Sequence, residues 1–152
     1  MRVEWGGMTR IALALAGVIT SVTWYAAGQA QIYDGQFGIE VIGVKKVLVW
    51  WMTPGDPTSW TAKATADSDL IVIDLEVKNV KYGKPDSDHL LVFSESSLED
   101  IDGNKHDSVF GRVRVPRMPF AVPKGTVPKI FRTLGLEFDI SNIKVVEGEA
   151  SK

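Results

Sequence analysis

Between Leu70 and Val80 the chain alternates: Ile71, Ile73, Leu75 and Val77 fall on one side, and Asp74, Glu76 and Lys78 on the other. Successive side chains of an extended strand point to opposite faces, so this period of two describes a β-strand with one buried and one wet face. The pattern recurs along the body. Val41 to Trp51 is dense in Val, Ile and Trp, residues that suit a pleated surface. Trp60 to Ala66 reads as a short second strand, and Leu90 to Phe93 as a short buried run followed by a polar stretch from Ser94 to Asp100. Val113 and Val115 alternate with Arg112 and Arg114. Leu134, Leu136, Phe138 and Ile140 alternate with Gly135, Glu137 and Asp139, and Asn142 to Val146 suits a last edge strand.

The breaks between these runs carry turn chemistry. Pro54, Gly55, Asp56 and Pro57 end the first run, Tyr82 to Asp86 the next, and Asp102-Gly103-Asn104 supplies residues that tolerate the positive φ of a hairpin. Residues 116–128 hold four prolines, which forbid a helix or a central strand there. The body shows no convincing helix. The expectation is an all-β, antiparallel sandwich over residues 40–146, after a Gly- and Gln-rich linker at 28–39 and before a charged tail at 147–152.

Four stretches of the chain together resemble a known family. LIVIDLEVKNVKYGKP, then SLEDIDGNKHDS, then VPKGTVP before LGLEFDI is similar to the telokin-like immunoglobulin-fold domains of exported bacterial proteins. In that family a hydrophobic strand ends in Val-x-Asn, a Leu-x-Asp-x-Asp-Gly hairpin follows, and a Gly turn precedes a Phe-containing strand. The match spans roughly residues 41–146; Pro116, Pro119 and the Trp50-Trp51 pair depart from it. The resemblance implies an Ig-like antiparallel β-sandwich and export. It implies no particular chemistry, since members mostly lack an assigned activity.

From Ile11 to Ala27 the chain runs 17 residues without a charge, with Arg2 and Arg10 before it and Asp34 and Glu40 after it. Positive residues on the N-terminal flank keep that end in the cytoplasm and send the rest across. Two readings of residues 1–27 follow. As a retained anchor, a helix of this length rises about 26 Å, close to a ~30 Å hydrocarbon core once its flanks are added. Trp24 and Tyr25 would then sit at the membrane interface. Ala12 and Ala16, with Gly17 and Ser21, would let another membrane helix approach closely. As a signal peptide, the same run is an h-region cleaved near Ala30, leaving a secreted or periplasmic domain. The anchor reading is the leading one: one N-terminal transmembrane helix in the bacterial cytoplasmic membrane, with the C-terminal domain in the periplasm.

Composition removes several functions. With 45% apolar and 24% charged residues the chain is not disordered as a whole. A net charge of −2 speaks against a nucleic-acid binder, and the absence of cysteine removes thiol catalysis, Cys-ligated zinc and iron–sulfur clusters. Asp100, Asp102 and Asn104 stand like the first ligands of a calcium loop, but Lys105 and Gly111 occupy the positions that need Gly and Glu. A hairpin turn is the plainer reading, with a weak calcium site of another kind as the alternative. His89 and His106 are the only histidines, too few for a zinc site without carboxylate help. No nucleophile elbow or phosphate loop is present. No enzyme activity and no cofactor are expected.

Two features suit recognition instead. Trp50, Trp51 and Trp60 bracket the Pro54–Pro57 turn, and adjacent strand residues face opposite ways, so at least one indole is expected at an edge or loop. Residues 86–107 are acidic, whereas residues 112–132 carry Arg112, Arg114, Arg117, Lys124, Lys129 and Arg132 without an acid. On different faces these segments would make a dipole; on neighbouring strands they would neutralise each other. The function expected is a non-catalytic, membrane-anchored accessory subunit. It docks on integral membrane subunits and lipid through Trp50, Trp51, Trp60, Arg112, Arg114 and Arg117. A respiratory or photosynthetic assembly is one host it would fit. The alternative is a soluble exported module binding a peptide, glycan or small ligand.

Overall fold

The computed structural model describes residues 30–56, 58–79, 84–85 and 91–148. The N-terminal segment, including Trp24, Tyr25, Ala12, Ala16, Gly17 and Ser21, lies outside the described residues, as does His89. No helix among the described residues is long and apolar enough to cross a membrane. The described chain is all β. In order it forms β1 (Gln31–Tyr33), β2 (Phe37–Val47), β3 (Val49–Trp51), β4 (Thr61–Lys63), β5 (Ser68–Asn79), β6 (Lys84–Pro85) and β7 (Phe93–Ser94). It continues with β8 (Ser97–Asp100), β9 (Lys105–Asp107), β10 (Arg112–Val113), β11 (Arg117–Pro123), β12 (Pro128–Thr133), β13 (Leu136–Asp139) and β14 (Val145–Glu147).

The larger sheet runs β1-β2-β5-β11, with β6 beside β5 and β14 beside β2; the second runs β13-β12-β8-β9. Two ribbons, β3–β4 and β7–β10, complete the fold. The pairings are antiparallel except that of β14 with β2, where Val145 aligns with Val44 in parallel. Directly paired residues share a face. Ile71, Ile73, Leu75 and Val77 therefore stand with Met118 and Phe120 of β11 and Ile39, Val41 and Val44 of β2. This face meets the second sheet where Phe120 packs edge-on to Phe131 at 6.0 Å and Phe131 stacks on Phe138 at 5.9 Å.

The opposite face of β5 departs from simple alternation. Leu70 and Val72 are as buried as the residues between them, so the first half of β5 is covered on both sides. Only Glu76 and Lys78, toward its end, keep the expected wet face. There Glu40 pairs directly with Glu76, and burial, reinforced by that like charge, raises the Glu40 carboxyl above its ordinary value.

Several expectations are corrected by the fold. The linker placed at 28–39 is, from Gln31 onward, the β1–β2 hairpin. The run Val41–Trp51 is two strands divided at Leu48, where the chain leaves the large sheet for the ribbon. The polar stretch Ser94–Asp100 contains β8, an inner strand of the second sheet. Its inward groups are partly polar yet satisfied: Ser96 shares a 2.9 Å hydrogen bond with Thr133, and Leu98 is buried between polar neighbours. The strand expected from Leu134 begins at Leu136, because Leu134 and Gly135 both take positive φ and form the two-residue turn between β12 and β13.

The proline-rich segment does form a strand, but at an edge. Pro119 faces Val72 in the β11–β5 ladder, and its carbonyl accepts from Val109 on the side away from β5. A strand residue's N and C=O point the same way, so the missing N–H also lies on the outer side and no ladder bond is lost.

Aspartates fix the loops at the ends of the sheets. Asp69 accepts the Gly125 amide at 2.9 Å and faces Lys46 and Lys124, which together hold its carboxyl below the ordinary range against the effect of burial. Asp100 is held low chiefly by His106, 2.9 Å away, and by the amides of Asn104 and Asp102. Carboxylates depressed in the folded state add stability that is complete above their unfolded pKa of about 4 and is lost as pH falls through the folded value. Melting temperature should hold steady from about pH 6 to 5 and drop below about pH 4. Asp69→Asn should shrink that acid-side drop, and an unchanged profile would count against the carboxylate's part. Truncating Phe131, fully buried at the junction of the sheets, should cost about 3–5 kcal/mol in urea denaturation. A loss under about 1 kcal/mol would show that the two sheets do not depend on this contact.

Candidate functional site

The ribbon β3–β4 and the segment leading into β11 build one surface feature. Trp50 on β3 pairs with Ala62 on β4 and points inward, with no exposure to solvent. Trp51, on the other side of the same strand, is half-buried. Trp60 ends the connecting loop and is 64% exposed. Adjacent strand positions thus part as the period of two requires, and the loop residue is the indole that reaches solvent.

The three aromatic groups are not independent. Phe110 lies between Trp60 and Trp50, stacked on the first at 5.5 Å and tilted against the second at 5.4 Å. Beyond Trp50, the guanidinium of Arg117 sits 5.7 Å from the indole ring centre. The Arg117 Nη2 group also donates to the carbonyls of Met52 at 3.1 Å and Trp51 at 3.4 Å. Burial lowers the guanidinium pKa from its ordinary value, and Asp74, its cross-strand neighbour on β5, opposes that shift. Asp74 in turn pairs with Lys45 at 2.9 Å. The result is a series from solvent to sheet: Trp60, Phe110, Trp50, Arg117, Asp74, Lys45. The indole N–H of Trp50 and one oxygen of Asp74 are buried without a hydrogen-bond partner among the described residues. Ring stacking and the cation over the indole are the contacts that offset this cost.

The loop that carries Trp60 is held in shape. Met52 donates to the Trp60 carbonyl at 2.8 Å, and Asp56 donates to Thr53 at 3.0 Å. The Asp56 carboxylate accepts from the hydroxyl and amide of Thr58, which lower its pKa, and Ser59 Oγ donates to the Asp56 carbonyl at 2.8 Å. Gly55 takes a positive φ at the loop's tip, as a turn there requires.

Beside this loop lies a cleft of about 680 Å³ whose apolar floor includes Met52, Val92 and Val115. Trp60, Arg112 and Arg114 line it together with the hydroxyl-bearing Thr53, Thr58 and Ser59. Arg112 and Arg114 are exposed and flank the buried Val113. Neither makes an ion pair among the described residues. Two other cations of the basic segment are engaged in ion pairs: Lys124 with Asp69, and Arg132 with Glu99 at 2.9 Å and Glu137 at 2.8 Å. Glu99 on β8 and Arg132 on β12 belong to neighbouring strands, so there the acidic and basic segments neutralise each other rather than forming a dipole.

The expected recognition residues therefore divide. Trp60, Arg112 and Arg114 come together at the cleft. Trp50 is fully buried and cannot touch a partner; Arg117 is half-buried and braces the ribbon; Trp51 stands away from the cleft lining. Phe110 was not anticipated. Its signal was a single aromatic residue in a Ser-, Gly- and Arg-rich stretch, which carries no period to read. The calcium-like triplet is a turn: one Asp100 oxygen accepts two amides of its own loop, and the other meets His106. No group of three or more metal-ligating side chains is gathered among the described residues. No protein-family model, curated protein or solved structure matches the chain.

Trp50 and Trp60 should behave oppositely on truncation. Trp50→Ala should lose about 3–5 kcal/mol of stability. Trp60→Ala should lose less than about 1 kcal/mol. Urea midpoints of the two variants decide this, and equal losses would mean that Trp60 is a structural member of the stack rather than a presented side chain.

Proposed function

We propose that this chain is a non-catalytic accessory subunit. It is tethered in the bacterial cytoplasmic membrane by its N-terminal segment and docks on a larger membrane complex through its exported domain. The domain is an Ig-like sandwich of the telokin-like kind, in keeping with the motifs that resemble that family and with the two mainly antiparallel sheets. The observation that carries the docking reading is the exposed Trp60, backed by Phe110, beside two arginines without ion pairs. An indole presented on a rigid support contributes large contact area at little ordering cost, which is how interface anchors work. The uncharged run Ile11–Ala27 and the small residues Ala12, Ala16, Gly17 and Ser21 support the tether.

The test is extraction of native membranes in mild detergent, followed by a native gel and mass spectrometry of the band that holds this chain. Migration at several times its 16.7 kDa mass with the same partners in each preparation is the expected result. Trp60→Ala should move it toward its own mass. Migration alone in the unaltered protein would overturn the subunit reading.

A further inference from the structure

We propose that the cleft takes an acidic segment of a partner protein in extended form, with carboxylates on Arg112 and Arg114 and an apolar side chain against Trp60. This deepens the docking role above and rests on it. The first support is charge: among the described residues the cleft lining contains no acid and its two arginines make no ion pair, in a chain whose net charge is −2. A local cationic site on an otherwise acidic molecule selects and steers an anionic ligand. The other clefts lack this property. Lys46 and Lys124 are engaged by Asp69, and the cleft beside β9 brings Lys105 together with Glu95 and Asp107.

The second support is placement. Arg112 on β10 and Arg114, in the bend that follows it, stand either side of the buried Val113 and both line the cleft. Two guanidinium groups lining one cleft can each take a carboxylate of one short acidic segment. Each such pair admits bidentate hydrogen bonding, which a lysine would not give. The third support is shape. Met52, Thr53, Asp56, Ser59 and Trp60 are tied to one another by hydrogen bonds beside the apolar Met52, Val92 and Val115 of the lining. An open cleft of this kind offers a side chain an apolar surface to lie against beside the two arginines.

The experiment uses the full chain in nonionic detergent and a dye-labelled peptide, Gly-Glu-Ser-Glu-Phe-Gly, followed by fluorescence anisotropy. Saturable binding is expected, weakening as salt rises. The Gln-for-Glu peptide should bind at least roughly tenfold more weakly, and Arg112→Glu with Arg114→Glu should cause a loss of similar size. Trp60→Ala should weaken binding several-fold, and replacing Phe in the peptide by Gly should do the same. No saturable binding, or equal binding of the Gln peptide, overturns the proposal. So does tighter saturation of the same arginines by glycerol phosphate, which would make the site a reader of lipid headgroups. These results separate from the docking role itself: a chain that stays in its high-mass native band while ignoring the acidic peptide keeps that role and loses only this partner chemistry.

Discussion

Two-sided burial of β5 is the constraint on which the other elements depend. Leu70 and Val72 face one way, Ile71 and Ile73 the other, and all four are removed from water. A strand that is apolar on both faces cannot lie at a surface, so it requires a layer on each side. The second sheet supplies one, through the Phe120, Phe131 and Phe138 contacts. On the other face Arg117, aligned with Asp74, joins the β3–β4 ribbon to the sheet. That requirement explains why the chain departs from the large sheet at Leu48, straight after the long β2.

The candidate site is a by-product of how that second covering is secured. Arg117 must be neutralised where it is partly desolvated, and Asp74 sits opposite it on β5. The guanidinium then serves as a cationic platform for Trp50, and Trp50 supports Phe110, which supports Trp60. Nothing in this series contacts solvent strongly until Trp60. The presented indole is therefore positioned by the sheet register several residues away, and its orientation depends on groups that no ligand would touch.

The strand content was legible wherever alternation was written in apolar against charged residues, as in β5 and β13. It was illegible where inward positions were polar. Ser96 and Asp100 face inward on either side of Leu98 and are satisfied by Thr133 and His106, so β8 hides its period in hydrogen bonds that a sequence does not display. The prolines were read correctly as incompatible with a central strand, yet the direction in which Pro119 points decides whether it may form an edge, and direction is a property of register. At the cleft, parity along β3 separates Trp50 from Trp51, whereas the strand expected over Trp60–Ala66 is only Thr61–Lys63, which leaves Trp60 in the loop. Arg112 and Arg114 share a parity that Arg117 does not, but Pro116 interrupts the run between them, so counting along the chain does not separate their roles. Only the pairing of Arg117 with Asp74 turns it inward.

The outward-facing nitrogen of Pro119 has a further consequence for how copies of this domain meet one another. Domains that meet at high local density are prone to strand addition between exposed sheet edges. At β11 an incoming strand would find no N–H at Pro119, and that residue's carbonyl is already occupied by Val109 and by the Ser108 hydroxyl. The free side of β11 is thus poorly receptive to a neighbour's backbone. Lateral crowding there would leave the molecules side by side and still separate, with self-association restrained at this edge by a residue that first looked like an interruption of the fold.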